Sequence, residues 1–149
     1  MITSPYKQRF NYLLFLGTLL ARSYTVATVA LALKVAPKWL DNLLSHHPVA
    51  GVDRESRGRA RRLSSSSAQL LAVTLMLIND LDLGTPGGLA LAEKLISSGG
   101  RLQTPGGLHL EIDLNAARQI VIERLNYAVE IAPVPRRGRP PRRKTGRLT

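Results

Sequence analysis

The chain has 149 residues, enough for one domain and a tail, and its 44% hydrophobic content is enough for a core. Its 21 Lys and Arg outnumber 10 Asp and Glu, and the net charge of +11 points to a polyanionic partner held by salt-sensitive phosphate contacts. The absence of cysteine excludes disulfides, thiolate zinc sites and cysteine nucleophiles.

Residues 5–22 read as a helix with Ser4 as N-cap and Pro5 as first helical residue. Phe10, Leu13, Leu14, Leu16, Leu20 and Ala21 spread over more than one stripe, so the helix is expected to be buried on two sides. A homodimer interface and central packing within one chain both satisfy that pattern. The apolar run 11–21 is too short to span a bilayer and lies between Arg9 and Arg22. No clean small-residue cleavage site follows it, so a cytoplasmic protein is expected, without secretion or membrane insertion.

From Ser23 the sequence predicts two short helices with a break at 34–36. In the first, Thr25 is a cap and Val26, Val29, Ala30 and Leu33 fall at helical spacing. The second runs over 37–45, opened by Pro37 and apolar at Trp39, Leu40, Leu43 and Leu44. Two short helices joined by a tight turn have the helix-turn-helix shape. On the second, Lys38 and Asn42 are candidate contacts to base edges and phosphate, and Asp41 is a weaker one. Residues 52–63 read as a basic loop or short hairpin, in which Arg54, Arg57, Arg59, Arg61 and Arg62 are candidate phosphate or minor-groove contacts.

A serine cluster at 64–67 offers N-caps for a largely apolar helix over 68–81, and Thr85-Pro86 caps another through about Ile96. The alternation Leu108-His109-Leu110-Glu111-Ile112-Asp113 and the turn chemistry of Thr104-Pro105-Gly106-Gly107 predict a β-hairpin over 101–113. A last helix over 115–131 has Ile120, Val121, Leu125, Ala128 and Val129 on its expected apolar face, and Pro133 stops it. The segment 83–91 echoes 102–110 through a common Thr-Pro-Gly-Gly-Leu, read as shared turn chemistry.

Residues 133–149 are expected to form a disordered basic tail holding seven Lys and Arg and no acid. Its core, Arg137-Gly138-Arg139-Pro140 after Arg136 and before Arg142, Arg143 and Lys144, resembles an AT-hook. Gly138 has no Cβ to hold its backbone off a groove floor, the prolines favour an extended path, and the arginines suit the negative potential of a narrow A·T minor groove.

The order of parts between residues 24 and about 96 resembles the winged-helix DNA-binding domain of the MerR-like superfamily, which includes excisionases. Tyr24-Thr25-Val26-Ala27-Thr28-Val29-Ala30 is similar to the opening of its first helix, and Val35-Ala36-Pro37-Lys38-Trp39-Leu40 to the turn and start of its recognition helix. Arg57-Gly58-Arg59-Ala60-Arg61-Arg62-Leu63-Ser64 resembles its basic wing, and Leu81-Asp82-Leu83-Gly84-Thr85-Pro86 the joint between the next two helices. Lys34 stands where the family often has a turn glycine, and Ala36 replaces the usual hydroxyl cap.

The resemblance implies a winged helix-turn-helix over 23–98; the 1–22 helix before it, and the hairpin and helix over 99–132 after it, which the family does not account for and which are a candidate oligomerisation unit, make the expected fold mainly α. It implies double-stranded DNA as partner, contacted by Thr25, Pro37, Lys38, Asn42 and the wing arginines, with transcriptional regulation as the leading role. An architectural DNA-coating protein and a mobile-element control factor are the alternatives. His46 and His47 have no Cys or acid at ligand spacing, so neither metal nor cofactor is expected. The acids are scattered and the Gly-Gly pairs lack a phosphate-loop lysine, so no catalysis is expected.

Overall fold

A computed structural model describes residues 22–53 and 60–133. The expected N-terminal helix, the tip of the basic segment and the AT-hook-like tail lie outside those residues. Among the described residues the protein is mainly helical, with two small antiparallel sheets.

The described chain opens with a strand, β1 (Ser23–Thr25), rather than with helix. Helix α1 (Val26–Leu33) comes directly after it. Thr25 is its N-cap, with Oγ1 accepting from the Thr28 amide at 3.1 Å, as its sequence predicts. Helix α1 ends in a Schellman turn: the Lys34 amide donates to the Leu31 carbonyl and the Val35 amide to the Ala30 carbonyl. Lys34 sits at φ 57°, ψ 42°, the left-handed geometry that a glycine would adopt freely.

Helix α2 (Pro37–His46) starts on Pro37, with Ala36 at the N-cap giving no side-chain hydrogen bond. Two further strands, β2 (Val52–Asp53) and β3 (Arg62–Ser64), complete a sheet in the order β1-β3-β2. Its register sets Leu63 against Tyr24 on one side and Val52 on the other, so a fully buried leucine lies at the sheet's centre. A single strand of three residues has too few hydrogen bonds to persist alone. Here β1 and β3 also feed directly into helices, which hold them.

Helix α3 (Ser65–Leu81) starts three residues earlier than its apolar run suggests. Ser64 is its cap, accepting from the Ser67 amide, and the Ser67 hydroxyl donates to the Ala50 carbonyl at 2.6 Å. The serine cluster therefore both starts a helix and fastens the preceding loop. Helix α4 (Thr85–Ser97) is capped by Gly84, not by Thr85; Thr85 already lies inside the first turn. It packs along α3.

The predicted hairpin forms as β4 (Arg101–Gln103) and β5 (His109–Glu111), with Leu102 opposite Leu110. Helix α5 (Leu114–Ile131) begins on Asp113, whose carboxylate accepts from the Asn115 and Ala116 amides at 3.0 Å each. It packs against α1 and α3, so Val121, Leu125 and Ala128 belong to the same core as Val29, Leu40, Leu63 and Leu71. The expected apolar face of this helix is partly corrected: Ala117, Val121, Leu125 and Ala128 turn inward, whereas Ile120 and Val129 stay exposed.

The echoed segments adopt different structures, which corrects their reading as common turn chemistry. Thr104-Pro105-Gly106-Gly107-Leu108 makes the hairpin turn: Gly107 takes φ +86°, and Thr104 holds Leu108 through both its backbone and its hydroxyl. Thr85-Pro86-Gly87-Gly88-Leu89 is the first turn of α4, and Gly88 is buried against α3.

Candidate nucleic-acid interface

Helix α2 divides its side chains cleanly. Leu40, Leu43 and Leu44 are buried and Trp39 lies half-buried against the core, while Pro37, Lys38, Asp41, Asn42 and Ser45 are exposed. The three leucines recur at helical spacing, so burying them turns the polar positions outward. Lys38 and Asn42, four residues apart, share one exposed face.

Beside α2 runs the β2–β3 hairpin, and one side chain joins the two. The Arg61 guanidinium donates to the Asp41 carboxylate at 2.7 Å, to the Asp41 carbonyl at 3.1 Å and to the Ser45 hydroxyl at 3.0 Å. The ion pair is partly exposed, so its direct contribution to stability is of the order of 1 kcal/mol or less. Three acceptors from one turn of helix nevertheless fix the hairpin stem against α2. Arg61, predicted as a free DNA contact, is thus engaged on the protein, and so is Asp41. No sequence signal marks this pair, because the partners lie twenty residues apart.

Arg62 is exposed on β3 opposite Thr25 of β1, and with Arg22, Ser23, Thr25 and Thr28 it lines a cleft of about 200 Å³. Val129, Ala132 and Pro133 at the end of α5 close the other side of this cleft. The Thr25 hydroxyl caps α1 and also bonds the Thr28 hydroxyl at 2.8 Å. Tyr24, one residue earlier, is buried; burial pushes its phenol above the usual value of 10.0, with the Arg22 guanidinium acting in the opposite direction.

Six of the candidate contacts are thus described: Thr25, Pro37, Lys38, Asn42, Arg61 and Arg62. Arg54, Arg57 and Arg59 belong to residues 54–59 between the two hairpin strands, and Arg136, Arg137, Gly138, Arg139, Pro140, Arg142, Arg143 and Lys144 to the tail; all lie outside the described residues. Arg22 is a cation at this surface that sequence reasoning passed over; its place three residues before the capping Thr25 was the available signal.

Among the described residues no group of three His, Asp or Glu side chains could hold a metal ion. No helix among them is long and apolar enough to cross a membrane. No family model, curated protein or solved structure matches the chain.

Proposed function

We propose that this protein binds double-stranded DNA with sequence preference, as a winged helix-turn-helix of MerR-like type. In this reading α1 and α2 are the helix pair, α2 enters a major groove, and the β2–β3 hairpin is the wing beside it. The observation that carries the reading is the Arg61 clamp. It holds the hairpin stem on α2 while Lys38 and Asn42 remain exposed on the same helix. An asparagine amide matches an adenine edge and a lysine reaches guanine or phosphate. Arg62, Arg22 and the hairpin-tip arginines then contact phosphates or the neighbouring minor groove, and the AT-hook-like tail adds a second minor-groove anchor.

The assignment of Arg61 changes with this reading. It is a positioning residue that sets the angle between wing and helix, rather than a contact to DNA. Transcriptional regulation is the role we favour for such a protein.

Selection of bound sites from random DNA tests the proposal. A defined motif is expected from the full chain. The variant Lys38→Ala/Asn42→Ala is expected to lose about 1–3 kcal/mol of discrimination per base contact removed, with non-specific affinity largely retained. An identical motif from the variant overturns the role of α2. Binding that unrelated DNA competes away completely points instead to the architectural reading.

A further inference from the structure

Helix α5 leaves an apolar row outside the core. Ile120 is 48% exposed, Tyr127 66% and Ile131 50%, and the row runs over about 16 Å of helix. At its Ile120 end it opens into a groove of about 480 Å³. Leu75 and Met76 of α3 wall this groove on one side, and Leu33, Lys34 and Val35 at the end of α1 on another. Row and groove together form an apolar surface of the kind that a binding partner covers.

We propose that this face is the seat of the chain's own N-terminal segment, with residues 10–21 antiparallel along α5 and residues 7–10 over the groove. The place where the described chain begins points to this occupant. Arg22, its first residue, lines the cleft at the last turn of α5 with Val129, Ala132 and Pro133. The segment therefore starts at the end of α5 where the row ends. Its expected helix is largely apolar from Phe10 to Ala21, a stretch of about 16 Å and so as long as the exposed row. Run back from Arg22 along α5, that helix brings Phe10 level with Ile120. Its apolar side chains spread over more than one stripe, so the segment needs a second surface as the row needs a cover. Tied to Arg22, it also meets this face at the effective concentration of a short tether, which a separate partner lacks.

The polar groups fit the same placement. Arg124 and Asp80 line the groove, and neither forms an ion pair among the described residues. Phe10, Tyr12 and Phe15 bring ring faces to the level of Arg124, where a guanidinium finds a cation–π partner. Lys7 and Arg9 are the segment's charged side chains, just beyond Phe10, and reach the groove whose one lining acid is Asp80. Because Lys34 and Val35 form a wall, the seated segment also braces the turn between α1 and α2.

The chain has no cysteine, so paired nitroxide labels on the full-length protein test the proposal directly. One label is placed at Gln8→Cys and the other at Gln119→Cys or Glu130→Cys, exposed polar positions on α5 about 16 Å apart. Both pairs are expected to give narrow distance distributions, with 8–119 the shorter, and dilution with unlabelled protein is expected to leave them unchanged. Adding Ile120→Asp is expected to abolish the short distance while the α5 amides keep their protection from hydrogen exchange, because Ile120 is exposed in the described fold. A broad distribution, or an 8–130 distance shorter than 8–119, overturns the proposal. A distance lost on dilution gives the face to a second copy and overturns it too. So does a short distance that survives Ile120→Asp. None of these outcomes depends on whether the chain binds DNA.

Discussion

Lys34 ends α1 with a backbone angle that costs an L-residue about 1 kcal/mol, and its side chain is exposed. Lys34→Gly removes that strain without removing a core contact, although glycine adds unfolded-state entropy in return. The two effects nearly offset, and the expected net gain is at most about 0.5 kcal/mol, read as a slightly raised midpoint in chemical denaturation. Tyr24 gives a second test at this scale. Burial raises its folded-state pKa above 10.0, so the neutral ring's contribution is fully present below that value. It is lost as pH rises from there through the raised value. Stability measured on the alkaline side of pH 10 is expected to fall more steeply for the parent than for Tyr24→Phe, and parallel curves refute the assignment.

At the scale of elements, two copies of Thr-Pro-Gly-Gly-Leu show how little five residues decide. Their downstream neighbours differ: Ala90-Leu91-Ala92-Glu93-Lys94-Leu95 has helical spacing and strong helix formers, whereas His109-Leu110-Glu111-Ile112 alternates. Their packing differs too. A Cβ on Gly88 would sit 2.9 Å from Ile78 Cγ1, so the first copy is a close helix–helix contact, whereas a Cβ on Gly107 meets nothing within 4 Å. Gly88→Ala is therefore expected to cost about 1–2 kcal/mol by overpacking. Gly107→Ala costs about 1 kcal/mol through its positive φ alone. Combining each with Ile78→Ala separates the causes: relief of the first and not the second is the expected result in denaturation experiments.

The same contrast explains what could be read in advance. Helices α1, α2 and α3 were legible because a cap or proline precedes an apolar repeat of helical period. Strand β1 was not, since its three residues are held by Leu63 and its neighbours, about forty residues away. Ile120 and Val129 flank the true inward face of α5 by one step each, a distinction that periodicity alone does not draw. The Arg61 clamp was invisible for a similar reason: a basic run in sequence does not tell which arginine turns back to the protein.

For the whole molecule, charge is unevenly spread. The tail after residue 132 carries seven of the cations and no acid. If all seven neutralise phosphates, deleting 134–149 lowers the slope of log affinity against log salt by up to about 0.9 per cation, roughly six in total. Titration of the full and shortened chains over a range of salt measures it, and an unchanged slope shows that the tail plays no part. Specificity is expected to stay with the 22–133 portion.

The cleft below the sheet brings Arg22 and Pro133 to one spot, the first and last described residues among the lining of a single depression. Within the described residues the two ends therefore lie beside one another. A chain cut at the Gly106 turn and rejoined between these two points would keep every core contact among the described residues, so the order in which these elements are written along the polypeptide is not what holds them together. Pro133, the residue from which the tail continues, therefore sits beside Arg62 and the first turn of α1, so an arm that grips a second stretch of groove would leave from the edge of the proposed wing.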